Sequence, residues 1–130
     1  MSWPKVSVLM SVYNGERHIR EAVESILNQT FSDFEFIIVE DASTDSTPEI
    51  LREYAKQDKR IHLLWNAGNL GLTRSLNQGL KLAQGEYLAR LDADDVSLPD
   101  RLKLQTRFLD SHQDVGALGA AFEVIDEQSK

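Results

Sequence analysis

Apolar and polar positions alternate along this chain in blocks whose period switches between strand-like and helix-like. Val6-Ser7-Val8-Leu9-Met10-Ser11-Val12 is a nearly continuous apolar run, which predicts a central strand covered on both faces. Tyr13-Asn14-Gly15-Glu16 breaks it as a turn, and Ile19, Ala22, Val23, Ile26 and Leu27 then recur with helical spacing. Phe34-Glu35-Phe36-Ile37-Ile38-Val39 predicts a second strand, followed by the polar run Glu40-Asp41-Ala42-Ser43-Thr44-Asp45. Ser46 as cap, Pro48 in the first turn and Glu49 closing a capping box predict a second helix with Ile50, Leu51, Tyr54 and Ala55 inward. Lys56 to Lys59 reads as a polar turn.

Ile61-His62-Leu63-Leu64-Trp65 predicts a short third strand, and the loop Asn66-Ala67-Gly68-Asn69-Leu70-Gly71 is rich in residues that tolerate positive φ. Leu72, Leu76, Gly79, Leu80 and Ala83 mark a third helix, with Gly79 on the apolar stripe for close packing on a sheet. Gly85 is expected to end it, and residues 86–91 to form a fourth strand that ends in Asp92-Ala93-Asp94-Asp95. Ser97-Leu98-Pro99-Asp100 opens a fourth helix over residues 98–111, with Leu102, Gln105 and Leu109 on one side. Residues 115–125, apolar with two Gly and three Ala, predict a fifth strand against which something packs closely.

This alternation predicts an α/β fold: a Rossmann-like, three-layer α/β/α sandwich on a mostly parallel sheet. In such sheets ligands bind beyond the carboxyl ends of the strands, where the strand order reverses. Three polar clusters fall at such ends: Tyr13 to Glu16, Asp41 to Asp45, and Asp92 to Asp95.

The 130 residues suit one domain with a real core, and there is no cysteine, hence no disulfide and no thiolate metal site. That fits a reducing compartment, and the expectation is a cytoplasmic protein, with attachment to the membrane periphery left open. The net charge of -7 argues against a nucleic-acid polymer or an anionic membrane surface as partner. No apolar run is long enough to span a bilayer, and the first residues do not read as a secretory signal.

The charge sharpens the question of the acidic stretch. Carboxylates this crowded repel unless a cation neutralises them or water screens them. The bland alternative is a solvated acidic turn. Hard carboxylate oxygens suit Mg2+ or Mn2+, which would bridge a pyrophosphate. Asp92 and Asp94 point the same way if the strand continues through them, and the pairing changes if the backbone turns. Asp41 can accept hydrogen bonds from a base N–H or ribose hydroxyl, or serve as a turn aspartate. Tyr13 can stack on a base or simply pack at a strand end. Arg74, at the head of the third helix, can reach a phosphate or pair with an Asp. No G-x-G-x-x-G or P-loop is present.

Taken together the motifs resemble the N-terminal half of family 2 glycosyltransferases of the GT-A fold. The matching stretches are Val8 to Glu16, Ser25-Ile26-Leu27-Asn28-Gln29-Thr30, Val39 to Asp45, Asn69-Leu70-Gly71-Leu72, Gly85-Glu86-Tyr87, Leu91 to Asp95, and Pro99-Asp100-Arg101-Leu102. The resemblance implies that Val12, Tyr13 and Glu16 line a nucleotide base pocket and that Asp41 contacts the base, usually uracil. It implies that Asp92, with Ala93 beside it, and Asp94 form the Asp-x-Asp pair for ribose and metal, with Asp95 a further metal candidate. The implied reaction is metal-dependent, inverting transfer of a sugar from a nucleotide-diphosphate donor, UDP by expectation. A carbohydrate or lipid-linked acceptor hydroxyl receives it, as in cell wall or polysaccharide biosynthesis. Family members usually continue well past this length, and their catalytic base lies in that later half. Residues 1–130 are therefore expected to be the nucleotide-diphospho-sugar-binding domain of a longer enzyme. Three rivals remain: an Asp-nucleophile phosphatase, whose motif normally follows the first strand and not the fourth; a non-catalytic nucleotide-binding module; and a receiver-like domain, which needs an acidic pair after the first strand where only Glu16 stands.

Overall fold

A computed structural model of the protein describes residues 3–114. Eight elements alternate: β1 (Val6–Val12), α1 (Ile19–Leu27), β2 (Phe34–Glu40), α2 (Thr47–Gln57), β3 (Ile61–Trp65), α3 (Leu72–Leu80), β4 (Tyr87–Arg90) and α4 (Arg101–Ser111). The four strands form one all-parallel sheet of order β3-β2-β1-β4. The expected α/β layering is thus present, and the order reverses at β1. The expected fifth strand over residues 115–125 lies outside the described residues.

Right-handed crossovers explain the layers. The chain steps from β1 to β2 to β3 in one direction, then returns past β1 to β4, so α3 must lie on the opposite face from α1 and α2. The cores follow strand parity. Val6, Val8, Met10 and Val12 of β1 and Phe34, Phe36 and Ile38 of β2 pack with Ile19, Val23 and Ile26 of α1, Leu51 of α2 and Leu102 of α4. Leu9, Ile37 and Val39 face the other way, with Leu76 of α3 against them. Gly79 is what lets α3 sit so close. A Cβ there would lie 2.4 Å from Leu9 Cδ1 and 3.0 Å from Val39 Cγ2.

Several local expectations are revised. Helix α3 ends at Leu80, five residues before Gly85, and Leu72 and Leu80 are exposed, so its inner face is Ser75, Leu76 and Gly79. Gly85 instead marks a close approach of backbones: a Cβ there would lie 2.5 Å from the Ser7 nitrogen. The same corner explains two polar residues in buried strand positions. Glu35 Oε2 accepts hydrogen bonds from the Ser7 hydroxyl and from Gln84 N–H at 2.7 Å, while Ser7 Oγ accepts Gly85 N–H at 2.8 Å. These bonds satisfy the backbone where it re-enters the sheet as β4. β4 itself is half-open at Leu88, which is exposed, while Ala89 is buried. Helix α4 begins at Arg101, not Leu98, because the preceding residues turn around Asp100.

The capping box at Ser46 and Glu49 does not form. Ser46 is the N-cap of α2, but its side chain makes no cap bond. Its hydroxyl and its N–H both donate to Glu16 Oε2. An anion from the loop after β1 thus occupies the helix start, where the macrodipole favours negative charge.

Candidate functional site

The carboxyl ends of β1 and β2 are laced together. Asn14 Oδ1 accepts Thr44 N–H at 2.8 Å, Asn14 N–H donates to Ser43 Oγ at 2.9 Å, and Gly15 N–H donates to Thr47 Oγ1 at 2.9 Å. Glu16 N–H donates to Asp45 Oδ2 at 3.2 Å. Two non-glycine residues here have positive φ, Asn14 at 52° and Ala42 at 60°. Such conformations persist only where surrounding bonds over-determine them.

Asp41 is 2% exposed. Its own N–H donates to Val12 O at 2.9 Å. Its Oδ1 accepts Leu70 N–H at 2.7 Å and Asn66 Nδ2–H at 2.9 Å, and its Oδ2 accepts Gly71 N–H at 2.9 Å. Burial by itself would raise its pKa. The hydrogen bonds from Leu70, Asn66, Gly71 and Ser75 outweigh that and hold the carboxyl below the usual aspartate range. The carboxylate therefore shapes the loop of residues 66–71 and the start of α3, where Gly71 takes φ 87°.

Above this carboxylate lies a cavity of about 330 Å³ lined by Ser11, Tyr13, Asp41, Asn69, Gly71 and Leu72. That volume is at the lower end of small-molecule sites. Tyr13 is half-exposed and presents a ring at its edge. Ser11, Asn69, Gly71 and Leu72 are lining residues that sequence reasoning did not assign. The Asn-Gly loop carried a turn signal, but nothing in it told which residues border a cavity.

The other sequence candidates divide. Val12 is buried at the end of β1, and its contribution is the carbonyl that receives Asp41. Glu16 is engaged by Ser46, and Arg74 stands exposed in the first turn of α3. The acidic stretch reaches the same edge from the other side of β1. Leu91 N–H donates to Leu9 O at 3.1 Å, after which the backbone turns, with Asp95 N–H donating to Asp92 O at 3.0 Å. The strand does not continue through the aspartates, so the alternation that would align Asp92 with Asp94 is lost. Ala93 packs inward on the core, and a Cβ built on Gly15 would lie 3.9 Å from its own Cβ. The loop that begins with Tyr13 and the acidic turn are thus neighbours, and Asp41 is bonded to the strand between them.

Asp92, Asp94 and Asp95 are all exposed, with Arg90 Nη2 at 3.3 Å from Asp92 Oδ1. Partial burial, then the charges of Asp92 and Asp94, push the Asp95 carboxyl up, while Arg101 opposes them. Crowded anionic oxygens of this kind are a donor set that fits Mg2+ or Mn2+. Among the described residues no three His, Asp or Glu side chains converge as a closed metal group. An ion here would therefore complete its shell from water and ligand oxygens, as Mg2+ commonly does. Sequence reasoning also passed over Arg101, whose Nη2 donates to Arg90 O at 2.9 Å and Nη1 to Ser97 Oγ at 3.1 Å, tying the far side of the turn to the end of β4.

Residues 7–130 match the family model described as glycosyl transferase family 2. An uncharacterized glycosyltransferase of Methanocaldococcus jannaschii, MJ1057, is 43% identical over 129 residues, 98% of this chain and 44% of that protein. Among solved structures, S. aureus TarS 1-349 in complex with UDP-GlcNAc is similar at a TM-score of 0.79 and 33% identity, covering 84% of this chain and 32% of that one. The mannosyltransferase PcManGT from Pyrobaculum calidifontis, in complex with GDP-Man and Mn2+, is similar at 0.70 and 29%, covering 83% and 32%. The chain spans less than half the length of curated relatives that it matches. Among the described residues, no helix is long and apolar enough to cross a membrane.

Proposed function

This chain belongs to glycosyl transferase family 2 and has the fold of the GT-A enzymes, and from that premise we propose that it is the donor-binding domain of a metal-dependent, inverting glycosyltransferase whose donor is a UDP-sugar. The observation that carries the reading is the pairing of a cavity at the ends of β1 and β2 with an acidic turn across Gly15. A nucleobase fits the cavity, stacking on Tyr13, with Asp41 offering a carboxylate whose position its own loop has fixed. The diphosphate then runs toward Asp92 and Asp94, with Ala93 beneath it and Asp95 alongside. We assign Arg74, exposed on the first turn of α3 whose Leu72 lines the cavity, to the phosphates of the donor. The nucleotide-sugar ligands of TarS and PcManGT, and the Mn2+ of the latter, support this assignment by similarity.

The chemistry asked of the chain is limited. An acceptor hydroxyl attacks the anomeric carbon, the bond from that carbon to the diphosphate oxygen breaks, and the hydroxyl proton goes to a base. A divalent ion held by Asp92, Asp94 or Asp95 would supply charge neutralisation to the departing diphosphate. The chain's own part is to bind and orient the donor. No residue here is assigned as the base, and acceptor choice, cytoplasmic placement and peripheral membrane association belong to the proposal for the whole enzyme.

Calorimetry with UDP, GDP and TDP, each with and without Mn2+, tests the reading. UDP binding that needs Mn2+ is expected, and Asp94→Ala should weaken it strongly, whereas Glu53→Ala on the distant surface of α2 should not. Nucleotide binding without any metal response, or equal effects of the two substitutions, would remove the case for a site at the acidic turn.

A further inference from the structure

The family resemblance includes Ser25 to Thr30, a stretch at the end of α1 that the donor site does not use. Its side chains reach across to the segment that follows the acidic turn. Gln29 is 7% exposed, yet every polar atom of its amide has a partner. Its Nε2 donates to Ser25 O at 3.0 Å and to Leu98 O at 2.7 Å, and its Oε1 accepts the N–H of Leu102 at 3.0 Å. Leu102 lies in the first turn of α4, so one buried amide grips both the approach to that helix and one of its otherwise orphaned donors. On either side of it, Ser25 Oγ accepts Ser97 N–H at 3.0 Å, Thr30 N–H donates to Pro99 O at 2.9 Å, and the Thr30 hydroxyl donates to Asp100 Oδ1 at 2.7 Å.

The acidic turn is thereby bracketed. Upstream, the sheet holds it through Leu91 and Leu9. Downstream, the end of α1 holds residues 97–102, and Arg101 closes the bracket back to Arg90 O. Exposed carboxylates are screened by water yet still repel at short range, so their spacing depends on how firmly the backbone between them is held. We propose that Gln29 is a positioning residue for the acidic turn: through Leu98 and Leu102 it sets the spacing of Asp92, Asp94 and Asp95, and with it the affinity for a divalent ion and the diphosphate the ion accompanies. This rests on the nucleotide-diphosphate reading above.

The test compares Gln29→Met, which keeps the shape and removes all three bonds, with Val23→Ala, a buried α1 substitution that touches none of them. Gln29→Glu, whose buried carboxyl must carry its proton to face the Ser25 and Leu98 carbonyls and then keeps the acceptor for Leu102 N–H and one donor, covers the case in which the Met variant does not fold. Hydrogen exchange is read at residues 95–104, and Mn2+-supported UDP binding is titrated in parallel. In Gln29→Met the amides of Ser97 and Leu102 should exchange faster, and Mn2+–UDP affinity should fall on the order of tenfold, the lower end for losing an outer-shell support of a metal ligand. Gln29→Glu should recover part of both, and Val23→Ala should change neither beyond its global stability loss. Unchanged exchange at residues 95–104, or faster exchange with undiminished Mn2+–UDP affinity, overturns the proposal. If the unaltered chain takes up no Mn2+–UDP, the nucleotide reading falls and the ion-affinity role with it. The exchange comparison then decides by itself whether Gln29 positions the turn.

Discussion

Replacing Asp41 by Asn tests whether this carboxylate organises the cavity. Four donors serve it: Leu70 N–H and Asn66 Nδ2–H at one oxygen, Gly71 N–H at the other, and the Ser75 hydroxyl. A carboxylate accepts at both oxygens, whereas a carboxamide accepts at one and donates at the other. If Asn keeps its carbonyl toward Leu70 and Asn66, its NH2 faces Gly71 N–H, donor against donor. A hydrogen bond to a charged group is worth roughly 1.5–3 kcal/mol. The lost negative charge at the start of α3 adds about 0.3–1 kcal/mol. The variant should therefore unfold more easily by roughly 2–4 kcal/mol at neutral pH, measured by urea denaturation. The pH dependence gives the sign. The folded pKa of Asp41 is lowered from its ordinary 3.8, so its stabilisation is complete above that value and is lost as pH falls through the lower folded value. Once the native side chain is itself protonated, it resembles the amide, and the two proteins should converge in strong acid. A difference below about 0.5 kcal/mol at neutral pH, within the ordinary scatter of surface substitutions, or one that does not shrink in acid, would refute the reasoning.

Gly85→Ala places a methyl 2.5 Å from the Ser7 backbone nitrogen and 2.7 Å from the Val6 carbonyl carbon, where no side chain can yield. It should lower stability by at least about 2 kcal/mol, visible in the thermal midpoint. Ala42→Gly relieves a φ of 60°; the left-handed penalty of roughly 1–2 kcal/mol less glycine's entropic cost of about 0.5–1 kcal/mol leaves a stabilisation of up to about 1.5 kcal/mol. A clear destabilisation in urea would show that the Ala42 methyl makes contacts of its own. Asp58→Ala should lower stability modestly, because Asp58 accepts bonds from the N–H, Nε and Nη2 of Arg60. It should leave UDP binding unchanged in calorimetry, since Asp58 lies at the far end of α2.

Much of the architecture was legible in the residues. β1 and β3 run over the residues whose apolar pattern predicts them, and Gly79 packs α3 against Leu9 and Val39 as its place on the stripe implies. Hydrophobic period is a local property, and the strand-helix alternation carries the crossover rule with it. Capping at Ser46 was not legible, because the anion that answers it, Glu16, comes from the loop after another strand. Nor was the end of α3, since Gly85 serves a contact with Ser7 that only the folded sheet creates. By itself the sequence determined the order in which strands and helices alternate over the described residues, and that polar groups gather where strands end. Tertiary structure alone decided which of those groups face open space and which are held by the chain. Asp41 and Asp94 look alike as residues, yet backbone donors brought together by the fold grip the first, while the second stands exposed on a turn that Arg101 and Gln29 hold from outside.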